Sequence, residues 1–384
     1  MQAILPRFLD ISGGASKTLG ALLDQLGVSK PLIVTDAFVI TSGLAEPALG
    51  SLSKAGIQYE IFAEVLPDPT SALVSAGLAR LDAGQFDCII AIGGGSPIDT
   101  AKAMAALHVH GGTPRDYKAP KMTMQPGLPI IAIPTTAGTG SEVTKFTVIS
   151  DSETGEKMLL PGAAFMPIAA LVDFELTMGK PMRLTADTGI DSLTHAIEAY
   201  VSRKANPFSD GVAELAMSLI STHIHTACRE PDNRDAREGM MRAATLAGMA
   251  FSNASVALVH GMSRPIGAHF HVPHGLSNAM LLPSVTAFSL NSALPRYAAC
   301  ARFMNVASPD DADQVAGAKL VDALISLNQD LDVPRMSEYG INEGAYHDKI
   351  PVMVEEALGS GSPANNPRVP TSAELSELFE QFYA

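Results

Sequence analysis

Cys88-Ile89-Ile90-Ala91-Ile92-Gly93-Gly94-Gly95-Ser96-Pro97-Ile98-Asp99-Thr100-Ala101-Lys102 is the stretch that decides the fold. Its first five residues are uninterrupted and apolar, the pattern of a strand buried on both faces. Three glycines then open directly into a helical pattern. Pro97 suits the first turn of that helix, where its missing N–H would have no partner anyway. Glycines let a backbone approach a phosphate closely, and the helix N-terminus behind them offers free N–H groups and a partial positive charge. The stretch is neither G-x-G-x-x-G nor a Walker A sequence, so a plain glycine-rich βα turn fits it as well as a phosphate cradle does.

Working outward, the first half of the chain alternates short β-branched runs with helical patterns, which predicts a parallel α/β sheet. Pro31 to Thr35 reads as a strand ending at Asp36, and Gln58 to Val65 as the next. Leu128 to Ile133 reads as a further strand, with Pro129 tolerable at its start. It runs into Pro134-Thr135-Thr136-Ala137-Gly138-Thr139-Gly140-Ser141-Glu142, a second loop of hydroxyls and glycines. Lys145 to Ile149 and Glu156 to Leu160 flank a turn and predict a β-hairpin, and Ala169 to Val172 predicts one more strand. Two polar, glycine-bearing loops at the carboxyl ends of parallel strands favour a dinucleotide pyrophosphate. Asp36 is placed to accept from an adenosine ribose hydroxyl and to repel a 2′-phosphate, which favours NAD over NADP. An aspartate that merely closes a strand-end turn remains the alternative.

After Pro181 the strand candidates vanish and Ala, Leu, Met and His recur at helical spacing. The expected organisation is an α/β dinucleotide-binding domain with a Rossmann-like parallel sheet over residues 1–181, then an all-α domain over 182–384. Gly359 to Pro367 reads as a loose surface loop before a last helix from about Thr371.

Within the helical half, Gly189-Ile190-Asp191-Ser192-Leu193-Thr194-His195-Ala196-Ile197-Glu198-Ala199-Tyr200 places Asp191 and His195 one turn apart on one face. Such a pair can chelate a divalent metal, or make an ordinary side-chain hydrogen bond. Val259 to Gly275 holds four of the ten histidines. A carboxylate with two or three imidazoles suits Fe²⁺ or Zn²⁺ with one position left open.

Composition bounds the class. The chain has 384 residues, 47% hydrophobic and 17% charged, enough for two domains with substantial cores. A formal charge of -14 argues against a nucleic-acid or anionic-membrane partner. Cys88, Cys228 and Cys300 show no CxxC spacing, so a reducing cytoplasm is the expected location. No leader and no membrane span is expected. His108, His110, His223 and His225 lack an evident acidic partner and read as surface or packing residues.

Taken together, Gly93 to Lys102, Pro134 to Thr144, Gly189 to Tyr200 and Pro273-His274-Gly275 resemble the iron-containing (group III) alcohol dehydrogenases, which include lactaldehyde reductase and 1,3-propanediol dehydrogenase. The resemblance runs nearly end to end. It implies a dehydroquinate synthase-like architecture and metal ligands Asp191, His195, His260 and His274. It implies cofactor contacts at Asp36, Gly94, Gly95, Ser96, Asp99, Thr135, Thr136, Thr139, Lys157 and Leu176. It also implies hydride exchange between NAD(H) and a small alcohol or aldehyde at Fe²⁺, with Zn²⁺ as the other candidate, in at least a homodimer. A dehydroquinate synthase-like lyase is the competing class; it would recycle its cofactor rather than accumulate NADH.

The chain departs from the family pattern at Arg264, where many members carry a histidine four residues after the third ligand. A guanidinium stays protonated and cannot serve as a general base. Either the proton leaves by another route, with His271 and His269 as candidates, or Arg264 has a different task. It could grip a substrate carboxylate or phosphate, which in the carboxylate case would make the enzyme a hydroxy acid or semialdehyde dehydrogenase, or it could pair with a local acid or point outward.

Overall fold

The computed structural model describes residues 2–383. The chain divides into two compact units, Ala3–Met178 and one beginning at Gly179.

The first unit is built on a six-stranded sheet. Its strands are β1 (Phe8–Ile11), β2 (Pro31–Val34), β3 (Glu60–Phe62), β4 (Cys88–Gly93), β5 (Ile130–Pro134) and, after the hairpin β6 (Phe146–Ser150) and β7 (Lys157–Pro161), β8 (Ala169–Val172). The order is β1-β8-β5-β4-β2-β3, and every pairing in it is parallel. The continuous apolar runs explain this. Leu32, Val34, Ile89, Ala91, Ile130 and Ala132 feed one core, and Ile33, Ile90, Ile92, Ile131 and Ile133 feed the other. Alternate residues point to opposite faces, so a strand with no polar break needs a helix layer on each side. The Gly95–His110 helix covers the first face, and Leu19–Leu26 and Glu46–Lys54 cover the second.

The strand order reverses between β2 and β4, and in open α/β sheets ligands bind outside the carboxyl ends of strands at that switch point. Asp36 follows β2 and the three glycines follow β4, so both stretches read from the sequence stand there. Thr35 Oγ1 donates to Ile92 O at 2.7 Å and ties the two strand ends together.

The hairpin β6–β7 forms as expected, antiparallel, with Thr147 opposite Leu160. Two expectations need correction. β1 is absent from the sequence reading: its four residues are only partly buried, and Asp10 interrupts its apolar run. The strand read from Gln58 to Val65 is limited to the three residues of β3.

Among the described residues of the second unit every regular element is a helix. Met182–Val201 is its central helix, packed on Pro207–Arg229 and Arg234–Ala254. Gly189 permits that packing, because a Cβ there would lie 2.9 Å from Met240 Cε and 3.1 Å from Ile224 Cδ1. Among the described residues no single helix is long and apolar enough to cross a membrane.

The segment Gly359 to Pro367 is not a loose surface loop. Ser362, Pro363, Asn365 and Asn366 are buried. Asn365 Nδ2 donates to Ser255 Oγ and Val256 O, each at 3.0 Å, and Asn366 Nδ2 donates to Ser289 Oγ at 2.8 Å. Its loop-like composition hides a set of amides that bind the ends of neighbouring helices.

Candidate metal centre and dinucleotide cradle

Three stretches of the helical unit converge on Asp191. On the Met182–Val201 helix, Asp191 and His195 stand four residues apart and Glu198 follows three later, all buried and on one face. His260 comes from the Leu258–Phe270 helix and His274 from the first residue of His274–Ser289. Each of these two histidines is followed by a glycine, and each glycine admits a close approach. A Cβ on Gly261 would lie 2.7 Å from Pro363 Cγ, and one on Gly275 would lie 2.6 Å from Asp187 O, on the central helix itself. The His-Gly pairs therefore set how near the imidazoles come.

The result is a shared focus. Asp191 Oδ1 lies 3.8 Å from His195 Nε2, 3.6 Å from His260 Nε2 and 3.9 Å from His274 Nε2. The ligand atoms of Asp191, His195 and His260 all fall within 4.8 Å of one another. His195 stacks between Phe251, at 4.2 Å between ring centres, and His260, at 4.6 Å. Asp191, His195 and His260 are buried, whereas the His274 side chain is 45% exposed, so that side is open.

Neighbouring groups fix the donors. Glu198 accepts from Ala257 N at 2.9 Å, Val259 N at 2.6 Å and His260 Nδ1 at 2.7 Å. With Nδ1 committed to a carboxylate, the Nε2 of His260 presents its lone pair to the centre. Burial pushes the Glu198 carboxyl up to about 7 against those hydrogen bonds. Burial, then the neighbouring His195 and Arg264, hold His260 well below the ordinary imidazole range, so it is the neutral form that faces inward. Burial also raises Asp191, opposed by His274 and Asn278. Ser263 Oγ lies 3.3 Å from His274 Nδ1 and 2.5 Å from Ser277 Oγ.

Asn278, which is not among the expected ligands, also joins the centre. Its Nδ2 donates to Asp191 Oδ1 at 2.7 Å and lies 3.2 Å from both His260 Nε2 and His274 Nε2. Its Oδ1 is buried with no hydrogen-bond partner. The positive end of an amide thus stands where a carboxylate and two imidazole lone pairs converge. One carboxylate with neutral imidazoles is a borderline donor set that fits Fe²⁺ or Zn²⁺.

In the α/β unit the two glycine-bearing loops face each other. A Cβ on Gly94 would lie 3.4 Å from Thr136 Oγ1, and one on Gly95 would lie 3.1 Å from Thr139 Cγ2. Thr135 is buried and its N–H donates to Gly93 O at 2.9 Å, which fixes the spacing of the loops. Gly94 caps the Gly95–His110 helix and Ser96 lies in its first turn, so the helix N-terminus opens into the cradle.

The remaining expected residues are placed as follows. Asp36 caps a short helix, its Oδ1 accepting from Val39 N at 2.8 Å. Asp99 uses both oxygens inside the unit, Oδ1 accepting from Ser141 Oγ at 2.6 Å and Oδ2 from Val148 N at 2.8 Å. Lys157 Nζ pairs with Asp68 Oδ1 at 2.9 Å. The Leu176 side chain belongs to the hydrophobic core. Arg264 donates through Nη1 to Ser362 Oγ at 2.8 Å. His269 pairs with Glu356 Oε2 at 3.0 Å, while His271 is exposed at the end of its helix in a left-handed conformation, φ 56°. His108 does have an acidic partner, Asp82 Oδ1 at 2.6 Å, because helical packing brings in a residue 26 positions away.

Residues 6–174 match the family described as iron-containing alcohol dehydrogenase, and residues 185–383 match the C-terminal part of the Fe-containing alcohol dehydrogenase family. The chain is 36% identical to the NAD-dependent methanol dehydrogenase of Bacillus methanolicus, over 96% of each chain. It is 37% identical to the NADPH-dependent butanol dehydrogenase of Clostridium saccharobutylicum, over 100% of this chain and 98% of that one. The solved structure of a 1,3-propanediol oxidoreductase superimposes with a TM-score of 0.94 at 35% identity, covering 100% of this chain and 99% of that one.

Proposed function

The chain belongs to the iron-containing alcohol dehydrogenase family, and we propose that it moves a hydride between NAD(H) and a small alcohol or its aldehyde. The observation that carries this reading is the convergence of Asp191, His195, His260 and His274 on one carboxylate oxygen. These four residues would hold the metal, Fe²⁺ with Zn²⁺ as the alternative. When bound, that ion supplies Lewis acidity at the substrate oxygen, where charge develops during hydride transfer. Glu198 keeps His260 in the tautomer that faces the centre, and Ser263 orients His274. Gly94, Gly95, Ser96, Thr135, Thr136 and Thr139 would cradle the pyrophosphate, with Asp36 on the adenosine ribose. Asp99 would contribute by holding the cradle's shape, since both of its oxygens are engaged, and Lys157 and Leu176 would border the cofactor.

Arg264 cannot take a proton from the alcohol. His269 is held by Glu356, so His271, exposed at its helix end, is the residue we assign to pass that proton to solvent. Relatives named for methanol and butanol support a small alcohol substrate, and they divide between NAD and NADPH. The carboxylate of Asp36 favours NAD. We place the enzyme in the cytoplasm, as at least a homodimer, on the strength of the three scattered thiols and the family.

The test is NADH formation by Fe²⁺-loaded protein across plain alcohols and diols. Turnover that is lost on chelation and restored by metal is expected. Metal-independent turnover, or none with any alcohol, would overturn the reading.

A further inference from the structure

A substrate that brings its hydroxyl to Asp191 and the three histidines exposes the rest of its chain to whatever borders them. Arg264 lies one turn beyond His260 on the Leu258–Phe270 helix, so both side chains project from the same face. It is half-buried, and burial pulls its pKa below that of a free guanidinium. Among the described residues one of its five N–H donors has a partner, through Nη1 to the buried Ser362 Oγ. Among the described residues no carboxylate reaches ion-pair distance. The charge of Glu198 acts on it, but both Glu198 oxygens are committed to Ala257, Val259 and His260.

Ser362 is held in place. Pro363 seats against Gly261 on the same helix, and the buried Asn365 anchors the segment that follows. A half-buried guanidinium with one neutral partner keeps donors to offer an anion, and its fork matches a carboxylate bidentately.

We infer that Arg264, backed by Ser362, anchors an acidic group on the substrate, so that the preferred alcohols are short hydroxy acids and the preferred aldehydes their semialdehydes. The inference rests on the alcohol dehydrogenase reading above. The bond changes are those of a neutral alcohol: the carbinol hydride passes to NAD⁺ and the hydroxyl proton is released. Arg264 only holds the far end.

The experiment is kinetic and calorimetric. With metal-loaded enzyme and NAD⁺, 4-hydroxybutyrate is compared with 1-butanol, and 3-hydroxypropionate with 1-propanol. The acid of each pair should show a kcat/KM about tenfold or more above its alcohol. R264M should remove that ratio, chiefly through a raised KM for the acid, and R264K should fall between, keeping charge without the fork. Butyrate titrated into the wild-type protein should bind, and should fail to bind R264M. Equal kcat/KM within the pairs together with no butyrate binding would overturn the anchor while leaving the dehydrogenase reading intact. NADH from no substrate at all would overturn that reading, and the butyrate titration would still decide the anchor. If R264M does not fold, the wild-type substrate pairs and the wild-type titration decide between these outcomes.

Discussion

Glu198 Oε2 lies 2.7 Å from His260 Nδ1, so one helix supplies Asp191, His195 and the carboxylate that fixes a second imidazole from another helix. A glutamine at 198 has the shape of the carboxylate but not its charge, and can present either end to Nδ1. E198Q should lower metal affinity by about 10- to 100-fold. Metal content after dialysis against graded chelator reads this directly, and the melting temperature reports whether the fold is intact. Full metal retention in a folded E198Q would mean that Glu198 serves only to bind Ala257 and Val259.

Asp36 caps a helix, and the proposed cofactor site gives it a second, separable role as a charge beside the ribose. D36S retains a side-chain oxygen for Val39 N, so the cap survives, but removes the negative charge. The ratio of kcat/KM for NADP⁺ over NAD⁺ should rise by about tenfold or more in D36S, with little change in melting temperature. An unchanged ratio would leave Asp36 a cap and nothing else.

Much of this is legible in the sequence, for reasons visible residue by residue. The Ile-rich runs of β4 and β5 carry the parallel sheet because doubly buried strands tolerate no polar break. Asp191 and His195 follow from helical spacing, whereas His260 and His274 rest on family motifs, since their approach to Asp191 depends on two glycine contacts far apart in the chain. Glu198 escapes notice because a glutamate on a helix ordinarily reads as solvated. Its place seven residues after Asp191, on the same face, is the usable signal. Asn278 has a similar signal, four residues after His274, but its bond to Asp191 spans 87 positions. The Gly359 to Pro367 segment misleads because Asn and Pro signal turns whether or not their side chains are buried.

Gly93 and Gly95 separate fold from binding. Gly93 has φ 150°, and a Cβ there would lie 2.5 Å from Pro97 Cγ, so G93A should cost about 1–3 kcal/mol of stability and visibly lower the melting temperature. Gly95 has no such backbone strain, and alanine is the better helix former. Its Cβ would lie 3.1 Å from Thr139 Cγ2, narrowing the space between the two loops. G95A should therefore raise KM for NAD⁺ by about tenfold at nearly unchanged stability. An unaltered KM would show that the cofactor phosphates do not lie between Gly95 and Thr139.

Lys102 gives a prediction in pH. Its ammonium is fully buried and donates to Ser141 Oγ at 2.9 Å, Thr144 Oγ1 at 3.0 Å and Phe146 O at 2.8 Å, with Asp99 Oδ1 at 3.9 Å. These bonds join the Gly95–His110 helix to the end of the second loop, the two sides of the cradle. Burial pulls the Lys102 pKa down from 10.5 to about 8, with Asp99 and Glu142 opposing the shift. Between those two values the unfolded chain binds a proton that the folded chain has released. Stability from this group therefore rises with pH across that window. K102M lacks the group and leaves the buried Asp99 without its cation, which favours a protonated Asp99 and lower pH. Both effects have the same sign. The melting temperature of the wild type should gain on that of K102M as pH rises from about 8 to about 10. Parallel curves over that range would mean that the buried ammonium keeps an ordinary affinity for its proton.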